Sequence, residues 1–562
     1  MIIRIPIAEQ RFVLDSVVLA EDRGIDESIV DAILEGAAAF AEGAFAPLNR
    51  IGDTTGATWA DGRVTLPEGY REAYQAYVDG GWGSLDGPEE AGGQGLSFAL
   101  ATVVLEDLGT ANMAFTLCPM LTAGAIEAIH THGSSEQKLV YLPKLVSGKW
   151  TGTMNLTEPQ AGSDVGALRS TATPNRDGSW SITGQKIYIT FGEHDLTDNI
   201  VHLVLARTPC APDGTKGISL FLVPKFRSDG YGCFNVPNDV RCVSIEHKLG
   251  INASPTCTIT YGDQGDCHGW LIGPEMGGMR AMFTMMNNAR LNVGLQGVQI
   301  GEAATQAAAA YARDRVQVKA IIDYPDVRRM LMRMKALTQG ARALIYSAAA
   351  EVDRAKAGIK GSRSRLDLLT PLAKAWGTDV GCEVASLGVQ IHGGMGFVEG
   401  TGVAQHYRDI RIAPIYEGTN GIQAADLVGR KLGLDGGAAV ERLLADIRND
   451  GAGHEHLLAL ADAIERTIAW MNSHDGDDRL AGSAALLDMM AVATAGSLMA
   501  RQLRIAISRQ SASEGDPAFL TAKIAVAGFF LCHIVPEALG KEPSACAGAE
   551  GLFMLSADEL VG

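Results

Sequence analysis

The spacing of apolar residues changes twice along the 562-residue chain. Residues 1–150 carry helical spacing, for example at 29–36 and 139–142. Between 151 and 275, short runs of alternating residues separated by Gly, Pro and Asp predict the strands of a small antiparallel β-domain. Helical spacing returns from 276, where 327–350 and 366–389 predict long helices. The pattern predicts an α+β, mostly α, protein.

Four domains are predicted from these changes. They are an N-terminal helical domain at 1–150, a β-domain at 151–275, a helical bundle at 276–435 and an extra helical C-terminal domain at 436–562. The glycine-rich stretch 433–437 predicts a linker before the last domain. The longest apolar stretch, 524–536, is interrupted by His533 and is expected to be too short to span a bilayer.

Composition narrows the possible partners. The net charge of −18 argues against nucleic acid and against anionic membrane surfaces. Nine cysteines without a Cys-x-x-Cys pair suggest neither a metal site nor a disulfide framework. The N-terminus lacks the apolar core of a signal peptide, so a cytoplasmic enzyme with reduced thiols is expected.

One carboxylate, Glu417, has the surroundings expected of a general base. It follows an apolar run and precedes Gly418 and Thr419, and Thr419 is a plausible N-cap for a helix that starts there. The helix dipole favours an anion at this place, whereas a substrate that excludes water would raise the pKa of the carboxyl group. The alternative is an ordinary acidic residue beside a surface helix.

Four segments in order resemble the acyl-CoA dehydrogenases, a family of flavoproteins, over about residues 40–435. The matching segments are 154–166, 184–190, 390–397 and 408–423. The resemblance implies FAD as cofactor and desaturation of acyl-CoA to the trans-2-enoyl-CoA. It implies that Glu417 removes the α-proton while flavin N5 takes the β-hydride, and that the backbone N–H of Glu417 polarises the thioester carbonyl.

The resemblance also assigns binding residues. Those implied for FAD are Thr157, Ser163, Tyr188, Thr190, Arg315, Gln390, Gly393, Gly394 and Thr419. Those implied for acyl-CoA are Ser163, Asn287, Arg290 and Gly418. Arg315 is expected to reach FAD held by a neighbouring subunit. Without the resemblance, Tyr188 could equally be a cross-strand packing residue, Arg290 and Arg315 solvated helix-face arginines, and the loop 158–164 a simple turn.

Several positions depart from the family pattern. The usual phenylalanine is replaced by Val318, and the usual His-Gln pair by Tyr324 and Pro325. Gly421 replaces a glutamine, so the family's contacts to adenine are not carried over. Some relatives carry the base on the helix of Arg290. Here the adjacent residue is Ala289, which cannot accept a proton.

The extra C-terminal region resembles a long bacterial branch of the family that includes 3-methylmercaptopropionyl-CoA dehydrogenase. The expected substrate is that thioester or another short- or medium-chain acyl-CoA, which would place the enzyme in fatty acid metabolism or dimethylsulfoniopropionate degradation. Electron-transferring flavoprotein is the expected electron acceptor, and a homodimer is expected rather than a tetramer. The alternatives are an acyl-CoA oxidase that uses O2 and a nucleic-acid-binding relative, which the C-terminal excess of acidic residues disfavours.

Overall fold

The computed structural model describes residues 3–18 and 26–562, without the side chain of Asn287. The chain forms two compact units: residues 1–35, 98–110 and 290–562 make a helical unit, and residues 36–97 and 111–289 make a unit that contains the β-domain. The predicted fold class is confirmed, because helices precede and follow one central β-region. The grouping of the chain's first residues with its last helices was not predicted.

The helices and strands of the described residues set the frame for the site. The α-helices of five or more residues are α1 Ile7–Val17, α2 Glu27–Phe40, α3 Ala46–Thr55, α4 Tyr70–Asp79, α5 Phe98–His132, α6 Ser135–Val146, α7 Gly278–Asp314, α8 Pro325–Lys356, α9 Ser362–His392, α10 Val403–Ile410, α11 Asn420–Gly429, α12 Ala438–Asp450, α13 Glu455–Asn472, α14 Gly476–Ser511, α15 Pro517–Phe529, α16 Val535–Leu539 and α17 Ala557–Val561. The strands are β1 Thr58–Ala60, β2 Arg63–Thr65, β3 Thr151–Asn155, β4 Thr171–Pro174, β5 Trp180–Thr190, β6 Ile200–Arg207, β7 Ile218–Pro224, β8 Phe226–Ser228, β9 Phe234–Pro237, β10 Val240–Ile245, β11 Thr256–Tyr261, β12 His268–Ile272, β13 Val316–Gln317 and β14 Lys319–Ala320.

Eight strands of the β-domain share one sheet. Their order is β10-β11-β5-β12-β7-β6-β3, and β4 pairs with β5 and β6. Residues 180–190 form one continuous strand, β5, because Gly184 and Gln185 stay paired with β11. The predicted antiparallel pairing holds except beside β6. There β3 runs parallel to β6, with Gly152 opposite Val201, because the chain passes through β4 and β5 before it returns. Strand β4 also pairs with β6 in parallel, at Thr171 and Arg207.

The C-terminal helices pack tightly on the rest of the helical unit. A Cβ added at Gly340 of α8 would lie 2.5 Å from the ring of Phe530, so the two surfaces are in close contact. Lys523 of α15 is buried and donates to Glu9 of α1 at 2.5 Å. The predicted linker is a fixed turn, since Asp435 accepts hydrogen bonds from the Ser364 hydroxyl and from Arg442, both at 2.6 Å.

Three helical segments of the described chain are long and apolar enough to cross a membrane, judged by length and composition alone. They are Phe98–His132, Gly476–Ser511 and Pro517–Ala545. In the first two, 83% of the most apolar window is buried inside the fold, and in the third 44%. The stretch 524–536, expected to be too short to span a bilayer, lies within the third segment, which is long enough at 29 residues. Packing within the protein accounts for the apolar character of the first two.

Candidate active site

The loop that carries Glu417 connects α10 to α11 through successive turns. Tyr416 N–H donates to Ile412 O at 3.1 Å, and Asn420 N–H donates to Pro414 O at 3.0 Å. The hydroxyl oxygen of Thr419 accepts the N–H of Ile422 at 3.2 Å, which confirms the predicted N-cap of α11. These bonds fix the position of Glu417 immediately before the helix N-terminus.

Glu417 has a left-handed backbone conformation, with φ of +54°. A residue with a side chain adopts this conformation only at a cost in free energy, so the surrounding bonds must impose it. No backbone or side-chain acceptor in the described part of the chain takes the N–H of Glu417. That N–H group is therefore available as a donor, as the expected role at the thioester carbonyl requires.

Gly418 and Arg290 both lie beside Glu417. Gly418 has a φ of +85°, and a Cβ there would lie 2.8 Å from the side-chain nitrogen of Gln423. Arg290 of α7 is half-buried, and its Nε donates to the backbone carbonyl of Glu417 at 3.4 Å. Arg290 therefore contacts the loop of the candidate base and is not a freely solvated arginine. Its assignment to acyl-CoA, and that of Gly418, stay predictions.

Burial and charge act in opposite directions on the Glu417 carboxyl group. Burial raises its pKa above the ordinary value, while the cations of Arg290 and Lys374 oppose that rise. The neighbouring Tyr416 hydroxyl donates to Gln296 of α7, and burial raises the pKa of this phenol too. A carboxylate with a raised pKa between two cations can be charged before substrate binds and can accept a proton afterwards.

The sequence analysis did not predict the hydrogen bonds that join Lys374, Asn420 and Asp379 next to this loop. Lys374 of α9 is fully buried and donates to Asn420 Oδ1 at 2.9 Å, while Asn420 Nδ2 donates to Asp379 at 2.8 Å. Burial lowers the pKa of Lys374 to about 8 against the opposing effect of Asp379 and Glu417. A lysine within the apolar run Leu368–Trp376 is the sequence signal that could have revealed it.

Tyr188 and Thr190 lie at the end of β5 in the β-domain. Tyr188 has a φ of +60° beside a shift in the pairing of β5 with β11, and 60% of its surface is exposed. The aromatic ring is thus turned out of the core, which disfavours a pure packing role. Thr190 ends the strand and Thr157 is held beside it, since Ile187 N–H donates to Thr157 O at 2.9 Å.

The loop from Glu158 to Asp164 is built on a buried ion pair. The carboxylate of Glu158 accepts from Lys186 of β5 at 2.8 Å, and both side chains are almost fully buried. It also accepts the hydroxyl of Ser170 at 2.6 Å and the N–H of Arg169 at 2.6 Å. Sequence reasoning missed this pair. Glu158 therefore holds the start of the loop in the β-domain, and Ser163 of the same loop is exposed.

The residues assigned to FAD in the helical unit have the chemistry that this cofactor requires. Arg315 is exposed directly after α7 ends, and Gln390 is exposed near the end of α9. Gly393 has a φ of +58°, and a Cβ added at Gly393 or Gly394 would meet nothing within 4 Å. A free guanidinium and open backbone are groups that bind pyrophosphate. Thr419 also caps α11, and the side chain of Asn287 lies outside the described residues.

One departure from the family pattern can be located. Val318, between β13 and β14, is fully exposed with a φ of +68°. The nearby Tyr324 hydroxyl donates to Gln317 O at 2.7 Å, so this aromatic residue closes the hairpin. The hairpin thus presents an apolar tip beside Arg315 without the usual phenylalanine.

Four family descriptions match the chain in succession. They are "Acyl-CoA dehydrogenase, N-terminal domain" over residues 31–149, "Acyl-CoA dehydrogenase, middle domain" over 153–263, "Acyl-CoA dehydrogenase, C-terminal domain" over 276–433 and "Acetyl-CoA dehydrogenase C-terminal like" over 450–556. The last description falls in the region that the sequence predicted to be an extra helical domain.

Individual relatives agree with these descriptions. The chain is 46% identical over 535 residues to 3-methylmercaptopropionyl-CoA dehydrogenase of Ruegeria pomeroyi, covering 90% of each chain. It is 34% identical over 536 residues to butyryl-CoA dehydrogenase of Syntrophomonas wolfei, covering 88% of each. The solved structure of an acyl-CoA dehydrogenase complexed with FAD from Bacillus anthracis shares its fold, with a TM-score of 0.77 at 21% identity over 98% of this chain and 93% of that one. The chain belongs to the acyl-CoA dehydrogenase family and is an FAD-dependent oxidoreductase of CH–CH groups.

Proposed function

We propose that Glu417 is the general base that removes the α-proton of the acyl-CoA. The observation that carries this proposal is the carboxylate at a helix N-terminus, with a left-handed backbone and a pKa raised by burial. The left-handed turn leaves the N–H of Glu417 without an acceptor in the described chain, so base and carbonyl donor belong to one residue. Bound FAD supplies the hydride acceptor for the β-carbon.

The proton step can be followed apart from the redox step. In anaerobic D2O, the wild-type holoenzyme is expected to exchange the α-protons of a bound acyl-CoA with solvent, which proton NMR detects. Glu417→Ala should stop this exchange while acyl-CoA still binds, because its backbone N–H remains and only the base is removed. Exchange at the wild-type rate would show that another group takes the proton.

We further propose a short-chain acyl-CoA with a thioether, such as 3-methylmercaptopropionyl-CoA, as the substrate. The support is the 46% identity over 90% of the chain to the Ruegeria pomeroyi enzyme of that name. The butyryl-CoA dehydrogenase at 34% identity supports the same short chain length without sulfur. An anaerobic panel of 3-methylmercaptopropionyl-, butyryl- and octanoyl-CoA, read by flavin bleaching, compares kcat/KM directly. Preference for octanoyl-CoA would contradict the proposal.

The electron acceptor and the assembly complete the proposed function. We propose electron-transferring flavoprotein as acceptor and a cytoplasmic homodimer as the working form, with no nucleic acid or membrane partner. The predicted C-terminal domain, residues 436–562, holds nine Lys and Arg against 17 Asp and Glu, which opposes anionic partners. The acceptor is tested by comparing reoxidation of the bleached enzyme by the flavoprotein and by O2. Faster turnover with O2 would favour an oxidase.

A further inference from the structure

Asn420 connects the loop of Glu417 to α9 through a buried hydrogen-bond group. Its Nδ2 donates to Asp379 at 2.8 Å, to the Thr378 hydroxyl at 3.1 Å and to Ala375 O at 3.1 Å. Its Oδ1 accepts from Lys374 Nζ at 2.9 Å. Because Asn420 is three residues after Glu417 and begins α11, these bonds hold the end of the loop against α9.

The group carries charge as well as hydrogen bonds. Lys374 is completely buried, and a buried ammonium costs free energy unless it is paired and hydrogen-bonded. The charged groups that face it are Asp379 on its own helix, Arg290 from α7 and Glu417 from the loop. Asp379 in turn faces Asp488 of α14 and Lys541, which lie in the C-terminal domain and pair with each other at 2.8 Å.

We propose that Lys374 is a positioning residue for the reaction: through its hydrogen bond to Asn420, three residues after Glu417, it holds the catalytic loop in place. The charge carried to this end of the loop favours the ionised form of the Glu417 carboxyl group before substrate binds. The effect of the Lys374 charge on the ionisation of Glu417 does not require Glu417 to be the base. Its consequence for catalysis rests on the proposed function. Arg290 supplies a second cation that acts on the same carboxyl group, so Lys374 alone does not set the ionisation of Glu417.

Two substitutions at Lys374 separate its charge from its hydrogen bond. Lys374→Gln keeps an N–H donor for Asn420 without a charge, and Lys374→Met removes both. Asn420→Ala removes the link and keeps the charge. Lys523→Met is the matched control, because Lys523 is also a buried lysine but donates its hydrogen bonds to Glu9 and Gln339.

The charge effect is measured on the holoenzyme by infrared titration of the carboxyl band that Glu417→Gln abolishes. Both Lys374 variants should titrate this band about one pH unit higher than the wild type, the size expected when an opposite charge is removed from nearby. The acid limb of the flavin-bleaching rate should move by the same amount. Lys523→Met should shift neither, even if it lowers stability.

The hydrogen-bond effect is read above the acid limb of every variant and below pH 8, where Glu417 is ionised and Lys374 of the wild type keeps its charge. There Lys374→Gln should retain most of the bleaching rate, and Asn420→Ala and Lys374→Met should lose about tenfold, the loss expected from slight misplacement of a reacting group. If the carboxyl band of Glu417 titrated at the wild-type pH in Lys374→Gln, the charge role would be overturned. This variant is sufficient for the test if Lys374→Met fails to fold. Wild-type rates in Asn420→Ala would overturn the positioning role. If instead Glu417→Gln still bleached normally, the base assignment would fail while the band shift remained measurable.

Discussion

The buried pair of Glu158 and Lys186 allows a quantitative prediction. The carboxylate and the ammonium are 2.8 Å apart with 4% and 0% of their side chains exposed. Although burial opposes ionisation, Lys186 and the bonds from Ser170 and Arg169 lower the pKa of Glu158 to about 2, while burial lowers the pKa of Lys186 to about 8. These opposite effects indicate that the intact pair contributes little net stability, whereas removing one partner leaves a buried charge uncompensated.

Glu158→Gln should therefore be the most harmful substitution. It leaves the buried Lys186 ammonium without its carboxylate partner. We therefore expect the free energy of unfolding to fall by about 3–5 kcal/mol. Lys186→Met should cost less, because Ser170 and Arg169 continue to donate to Glu158. The double variant Glu158→Gln/Lys186→Met should cost less than the sum of the two single changes. Since the folded pKa of Glu158 is depressed, the stability it contributes is complete above pH 4.5 and is lost as the pH falls towards 2.

Urea unfolding of the FAD-loaded proteins, followed by circular dichroism, gives these free energies. We expect a larger loss in free energy of unfolding for Glu158→Gln than for Lys186→Met. The loss in the double variant should be smaller than the two single losses added together. A Glu158→Gln variant as stable as the wild type would refute the reasoning, as would a larger loss for Lys186→Met than for Glu158→Gln. The conservative Lys186→Arg is a useful control, since it keeps the charge and changes only the fit.

Three further predictions concern the site and the assembly. Gly418→Ala should lower the flavin-bleaching rate and cost about 1–3 kcal/mol of stability, because it places a Cβ at a φ of +85° and 2.8 Å from Gln423; wild-type behaviour in both assays would show that the loop is not strained there. Arg315→Ala should lower both FAD occupancy and dimer stability, measured by absorbance and sedimentation, because a ligand that binds the assembled form stabilises it; full FAD retention by a demonstrably monomeric wild-type protein would contradict the shared site. Deletion of residues 437–562 should expose the surface of α8 at Gly340 and cause aggregation in light scattering, whereas a soluble, active truncation with unchanged assembly would mark the C-terminal region as an independent module.

Local patterns were sufficient for most of the fold and for the loop of Glu417. Helical spacing located α8 and α9, alternation located the strands, and Thr419 identified the start of α11 because an N-cap is read from adjacent residues. Contacts between distant parts of the chain could not be read in this way. The parallel pairing of β3 with β6 and the bond between Glu9 and Lys523 depend on tertiary packing.

The same limit applies to the candidate site. Lys374 is 43 positions from Glu417, and Lys186 looks like any polar residue of an alternating strand until its burial is known. Sequence reasoning therefore found Glu417 and Arg290 but missed the buried lysine cations Lys374 and Lys186. Those cations are visible only once the helices and strands that carry them have been placed.

The most direct test of the proposed base is anaerobic flavin bleaching in a single turnover by the wild type, Glu417→Gln and Glu417→Asp, each mixed with saturating 3-methylmercaptopropionyl-CoA or butyryl-CoA. Glu417→Gln should keep its FAD and bind substrate, yet bleach more slowly by several orders of magnitude, because the amide cannot accept the α-proton. Glu417→Asp should retain measurable activity, since its shorter side chain still carries a carboxylate. Bleaching of Glu417→Gln at a rate near that of the wild type would contradict the account, because the base would then lie elsewhere.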